Sequence, residues 1–156
     1  MAEVRFWQPG DLPWLLQMAA VTDWEIMNPS DRAVARPEVV RANSHRNLLA
    51  TLASPGGTAI VTADGGRPVG FLLIGIRPDD RTGEPQGYMA DIYLEPQYRG
   101  RGLAKQMHEL GEAYLRWLGI RRVTNWVHAS NPLGQKTSEA RGFQLWGVMM
   151  EKLLTG

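Results

Sequence analysis

Two glycines, Gly100 and Gly102, stand among Arg99, Arg101 and Lys105 in the stretch LEPQYRGRGLAKQMHEL, residues 94–110. An apolar run precedes them and a helical pattern follows. A strand that turns through glycines into a helix leaves the first N–H groups of that helix unpaired, at the positive end of its dipole. Such an end attracts an anion. Glycine has no Cβ, so the main chain can approach a phosphate closely, and the three cationic side chains can neutralise its charge. A pyrophosphate suits this chemistry.

Two known phosphate loops do not fit. The GxxxxGK(S/T) string of the P-loop is absent from the sequence. A dinucleotide fingerprint, GxGxxG, would need glycine at the position held by Lys105. It would also need to open a parallel βαβ unit rather than follow a hairpin.

The remaining reactive residues are few. Asp23 and Glu25 flank Trp24 in TDWEIMNPS, which reads as a loop; two carboxylates and an indole suit a cationic, amine-bearing acceptor. There is no cysteine, and His45, His108 and His128 show no ligand spacing, so no metal site is expected. A net charge of +1 argues against nucleic acid as a partner. The apolar run PVGFLLIGI is far short of a membrane span, and the N-terminus lacks a signal pattern. No membrane association and a cytoplasmic location are the expectations.

The elements that must position these groups follow from periodicity. The 156 residues, 44% hydrophobic and 21% charged, are expected to form one α/β domain over 1–156. VRFW reads as a strand; Asp11 as N-cap and Pro13 then open a helix through LPWLLQMAA. Pro37 opens a second helix, stopped by SPGG. TAIVTA, DGGR and PVGFLLIGI spell a hairpin. GYMADIYL is a strand with Ile92 and Leu94 on one side and Asp91 and Tyr93 on the other. Leu103, Met107, Leu110, Tyr114 and Trp117 form a helical stripe, with Gly119 just past its end. RRVTNWVHA is a further strand, NPLGQKTSEARGF a short helix stopped by Gly142, and FQLWGVMMEKLL one or two last strands. The order is β-α-α-β-β-β-α-β-α-β(β).

The glycine loop resembles the signature of the GNAT superfamily of N-acetyltransferases: Arg or Gln, two residues, Gly, one residue, then Gly or Ala. It is met twice, by Gln97, Gly100 and Gly102 and by Arg99, Gly102 and Ala104. NPLGQKTSEARGF is similar to a later element of that family, with Asn131, Gly142 and Phe143 at its offsets. The resemblance covers nearly the whole chain. It implies a mixed, mostly antiparallel sheet of six to seven strands flanked by four helices, and acetyl-CoA as cosubstrate with no metal. Pyrophosphate would lie over Arg99, Gly100, Arg101, Gly102, Leu103, Ala104 and Lys105. The pantetheine arm would bond to main-chain groups of Ile92, Tyr93 and Leu94 and to Asn131, passing Gly134 and Arg141. The Leu94 N–H would hold the thioester oxyanion.

The family's usual glutamate on the fourth strand is Ala90 here, and Asp91 is the next residue. Strict alternation would turn Asp91 to the face opposite Ala90. Asp91 is the first candidate for a general base, with His128 and Glu25 behind it. The family tyrosine that protonates the departing thiolate is replaced by Ser138; Tyr88 and Tyr93 are alternative acids. The resemblance implies direct acetyl transfer to a small-molecule or peptide amine, with Asp23, Trp24 and Glu25 near the acceptor. The alternative is a non-catalytic acyl-CoA-binding module. The last strands leave an edge on which a homodimer could pair.

Overall fold

The computed structural model describes residues 1–154. β1 (Ala2–Phe6) leads through a 3₁₀ turn (Pro9–Asp11) into α1 (Leu12–Glu25), α2 (Pro29–Val34) and α3 (Pro37–Ala53). Then come β2 (Thr58–Asp64), β3 (Arg67–Pro78) and β4 (Pro85–Leu94). A second 3₁₀ turn (Pro96–Tyr98) precedes α4 (Leu103–Trp117), β5 (Val123–Asn125) and α5 (Pro132–Ala140). The sheet runs β1-β2-β3-β4-β5; its first three pairings are antiparallel and β4–β5 is parallel.

Both faces of this sheet are covered, which explains why β2 and β3 read as unbroken apolar runs. Alternate residues of each strand serve opposite cores. Ala59, Val61, Ala63, Phe71 and Leu73 pack with Leu15 and Ala19 of α1 and Leu48 of α3. Ile60, Leu72, Ile74 and Met89 pack with Met107 and Leu115 of α4. α4 ends as its sequence foretells: Gly119 is left-handed (φ +79°), its N–H bonds to Arg116 O at 2.9 Å, and Ile120 N–H bonds to Leu115 O at 2.9 Å. The Asp64–Arg67 hairpin turns through Gly65 and Gly66, both at positive φ.

Several expectations are corrected. The described residues hold five strands, not six to seven, and five helices, not four. Asn28-Pro29-Ser30, which reads as loop, starts the extra helix: the Asn28 side chain accepts the Asp31 N–H at 2.7 Å and Pro29 occupies the first position. Turn residues and helix starts share an alphabet. Asp23, Trp24 and Glu25 accordingly form the last turn of α1 instead of a loop. Asp11 stands at the N-cap position of α1 without capping it. Its carboxylate takes the Gln8 N–H and both guanidinium nitrogens of Arg5 (2.8 and 3.0 Å) instead.

The stripe on α4 is also rotated from the expected one. Leu103, Met107, His108, Gly111 and Leu115 are buried, whereas Trp117 is 79% exposed. Tyr114 and Trp117 stack on the flank, with Phe6 edge-on to Tyr114. Finally, FQLWGVMMEKLL forms no strand among the described residues. β5 has only three residues and offers too short a ladder, and Trp146 is drawn off by the guanidinium groups of Arg81 and Arg122 (5.8 and 5.1 Å).

Phe71 is fully buried at the centre of the α1–α3 core. Phe71→Ala should cost about 3–5 kcal/mol in a urea titration. Met150→Ser, at a 91% exposed position, should change stability by less than about 0.5 kcal/mol.

Candidate functional site

The site begins where two strands part. β4 pairs with β5 only at Gly87, Tyr88 and Met89, yet it continues beside β3 to Leu94. The parting coincides with a bulge: Leu72 faces Ile92 and Ile74 faces Met89, so one residue of β3 opposes two, Ala90 and Asp91, on β4. Before the bulge Gly87 turns its N–H to β5, bonding Arg122 O at 2.8 Å. Beyond the strand, Glu95 N–H bonds Val69 O of β3 at 2.9 Å. Antiparallel alternation then directs the main-chain groups of Tyr93 to Phe71 and those of Ile92 and Leu94 away from β3, into the gap. Leu94 C=O in that gap accepts Arg99 Nε at 2.8 Å.

One end of the gap is the glycine loop. Gly100 (φ +73°) and Gly102 (φ +79°) are both left-handed, and a Cβ on either would meet no protein atom within 4 Å. Their outer face is therefore open. The first helical bond of α4 is Gln106 N–H to Gly102 O at 3.1 Å. Leu103, Ala104 and Lys105 thus supply N–H groups with no helical acceptor. Arg101 lies over the Tyr98 ring at 5.6 Å, and Lys105 makes only an exposed 3.6 Å pair with Glu109. Both cations are held loosely. The loop itself is tied firmly to the hairpin: Tyr98 donates to Asp64 at 2.8 Å and Arg67 forks onto Glu95 at 2.8 and 3.0 Å. These braces went unread in the sequence because their partners lie about 30 residues apart.

On the other side of the gap, Asn131 caps α5, accepting the Gly134 N–H at 2.9 Å. Its amide nitrogen stays available to donate. Ser138 of α5 accepts a bond from Asn125 Nδ2 at 2.9 Å, and Asn125 faces Met89 at the last paired position of β5. Ser138 is therefore held where the strands separate. Arg141, at the C-cap of α5, puts its charge near His108 of α4 and, after burial, lowers that imidazole.

The bulge overturns the alternation expected for Asp91. It puts two successive residues on the α1 side, so Ala90 packs against the α1–α3 core while Asp91 lies within electrostatic reach of Asp23 of α1 and Tyr88. Burial first, and then the negative charge of Asp23, pushes the Asp91 carboxyl up to about 7. Burial also raises Asp23, opposed by a hydrogen bond from the Ser44 hydroxyl of α3. Tyr88 is raised chiefly by burial, against Arg77 of β3, whose guanidinium sits 4.2 Å over its ring. Tyr93 leans on Trp14 at 6.4 Å and is part of the packing.

Asp23, Trp24 and Glu25 point three ways, as successive helical residues must. Asp23 meets Ser44, Trp24 lies under Arg32 at 5.7 Å, and Glu25 lines a cleft of ≈ 810 Å³. That cleft lies between the end of α1, α2, and Ser130 and Asn131. Arg32 also bonds the carbonyls of Trp24 and Glu25, closing the C-terminal end of α1. Among the described residues no three His, Asp or Glu side chains converge as metal ligands, and no helix is long and apolar enough to cross a membrane.

The model of the acetyltransferase (GNAT) family matches residues 19–143. An uncharacterized N-acetyltransferase of Bacillus subtilis, YycN, is 35% identical over 86 residues, 55% of this chain and 54% of its own length. The mycothiol acetyltransferase of Propionibacterium freudenreichii is 25% identical over 115 residues, 72% of this chain and 36% of its own. The chain thus spans about half of the first relative and about a third of the second. A proposed acetyl transferase from Pyrococcus furiosus superposes with a TM-score of 0.83 at 16% identity, covering 99% of this chain and 100% of that one. Aminoglycoside N-acetyltransferase AAC(6')-Iy, solved with CoA, gives 0.71 at 18%, covering 99% and 95%. At these identities the likeness is one of fold.

A raised carboxyl pKa carries a cost in stability. Between the ordinary carboxylate range and about 7, folded Asp91 keeps a proton that the unfolded chain has released, so stability falls as pH rises through that window. Asp91→Asn should flatten this dependence and be relatively more stable at pH 7.5 than at pH 5, as read from urea midpoints at both pH values.

Proposed function

The chain belongs to the acetyltransferase (GNAT) family, and we propose that it moves an acetyl group from acetyl-CoA to a primary amine by direct attack within a ternary complex. The observation that carries this reading is the parting of β4 from β5 at the Ala90–Asp91 bulge. It leaves main-chain groups of Ile92 and Leu94 facing a gap that ends at the N–H cradle of α4.

In this reading Gly100, Gly102 and the N–H groups of Leu103, Ala104 and Lys105 hold the pyrophosphate, with Arg99, Arg101 and Lys105 balancing its charge. Ile92, Tyr93 and Leu94 lie along the pantetheine arm, joined by Asn131, Gly134 and Arg141. The Leu94 N–H would stabilise negative charge developing on the thioester oxygen. Asp91 takes the proton of the attacking nitrogen. A C–N bond forms, the C–S bond breaks, and the thiolate leaves to be protonated through Ser138 or water. A lysine-like amine costs about 4.6 kcal/mol to deprotonate at pH 7, and a carboxylate poised near 7 is matched to that task. The acceptor would approach past the end of α1, where Asp23, Trp24 and Glu25 lie, and small-molecule amines are the favoured class. AAC(6')-Iy, of the same fold, is an aminoglycoside enzyme.

A non-catalytic acyl-CoA-binding module is the second reading. It is favoured by Ala90 and by Ser138, whose hydroxyl is engaged by Asn125. Free-thiol release with acetyl-CoA across a panel of amines separates the two: turnover is expected, and tight binding with no release across the panel would support the module. Asp91→Asn should lower kcat/KM by ~10²–10⁴ with acetyl-CoA affinity unchanged. Gly102→Val should abolish acetyl-CoA binding by calorimetry, with a stability loss of about 1–2 kcal/mol from its left-handed backbone. Normal binding by that variant would remove the loop from the site.

A further inference from the structure

We infer that Asp23, clamped by Ser44, is a positioning residue that sets the charge around Asp91 and is not an acceptor contact. This rests on the reading of Asp91 as general base. Three elements converge here. α1 brings Asp23, α3 brings Ser44, and the bulge of β4 brings Asp91 to their side of the sheet. Ser44 is only 3% exposed and its hydroxyl donates to Asp23 Oδ2 across the α1–α3 interface. A serine buried in that interface and spent on one carboxylate oxygen fixes the side chain of Asp23. It also favours the ionised form of Asp23, opposing the burial that raises its proton affinity.

The groups facing Asp91 can be named by element. α1 offers Asp23, β4 offers Tyr88, β3 offers Arg77 stacked on the Tyr88 ring, and α3 offers the neutral donor Ser44 acting through Asp23. Asp23 is the charged neighbour that works with burial on Asp91. Like charges brought together raise the proton affinity of one of them. The Ser44 bond favours the ionised form of Asp23 against its burial, and the ionised form keeps Asp91 basic enough to accept an amine proton near neutrality. Trp24 lies against Arg32 of α2 and Glu25, on the same turn, lines the cleft that extends to Asn131, so these two residues, and not Asp23, are left to contact the acceptor.

The test is the pH dependence of kcat/KM for acetyl transfer to an amine that the protein accepts. In the wild type activity should rise with pH along an acidic limb with its midpoint near 7. Asp23→Asn should keep the limb and move its midpoint down by roughly half a unit or more, with the KM of the amine changed less than twofold. Ser44→Ala should shift the limb in the same direction. In the double variant Ser44→Ala should add nothing to the shift of Asp23→Asn, because Ser44 acts through Asp23. Thermal melts identify any variant that fails to fold, and Asp23→Ser with Ser44→Cys, whose thiol is a much weaker donor, then replace the first pair. An unmoved midpoint, a large rise in KM with an unmoved limb, or additive shifts would each overturn the inference. If Asp91→Asn retains full activity and the limb, the fault lies instead with Asp91 as base.

Discussion

Between Leu72 and Ile74 of β3 lies one residue, whereas two, Ala90 and Asp91, lie between their partners on β4. That mismatch reverses the hydrogen-bonding parity of the strand. Gly87 and Met89 face β5 before it; Ile92 and Leu94 face the same side after it, where β5 no longer follows. The two halves of the site share this origin. The same extra residue that frees main-chain groups toward the gap also carries the Asp91 side chain over to α1. A strand without the bulge would give up one or the other.

The two ends of the gap are electrostatic opposites. At the α4 end, unpaired N–H groups and loosely held cations favour an anion. On the α1 side, the charge of Asp23 and partial burial together raise the affinity of Asp91 for a proton. On the proposed reading, the phosphate tail of the cosubstrate would be drawn by the first and a cationic amine by the second. The braces from Tyr98 to Asp64 and from Arg67 to Glu95 fix the glycine loop to the β2–β3 hairpin.

What could be read from sequence was what backbone conformation demands locally. Gly100, Gly102, Gly119 and Gly142 all stand at positive φ, and each is foretold by its position between a strand and a helix or past a helix end. The hairpin at Asp64–Arg67 belongs to the same class. Asp91 itself was nameable, but its face was not. Alternation assumes an unbroken ladder, and a bulge has no residue-type signature in GYMADIYL. Ser44 was hidden for another reason. A serine within a 17-residue helix looks like a solvated position until α1 is seen against it. The run FQLWGVMMEKLL misled in the opposite direction: its strand-forming residues meet a β5 of three residues.

The replacement of tyrosine by Ser138 is less damaging to catalysis than it first looks, because the two proton transfers are unequal. Removing a proton from a lysine-like ammonium at pH 7 costs about 4.6 kcal/mol, whereas letting a thiolate with a pKa near 8.5 depart unprotonated costs about 2 kcal/mol. The demand for a tuned base thus exceeds the demand for a tuned acid. The structure is built in that proportion. Asp91 is half-buried and faced by the charge of Asp23 on α1, which Ser44 of α3 holds. Ser138 has a single amide donor, Asn125, at the point where the strands part, enough to order a hydroxyl or a water beside a leaving sulfur. Holding the Asp91 carboxyl at about 7 costs stability above the ordinary carboxylate range. The expense is intelligible if the proton it waits for comes from an amine.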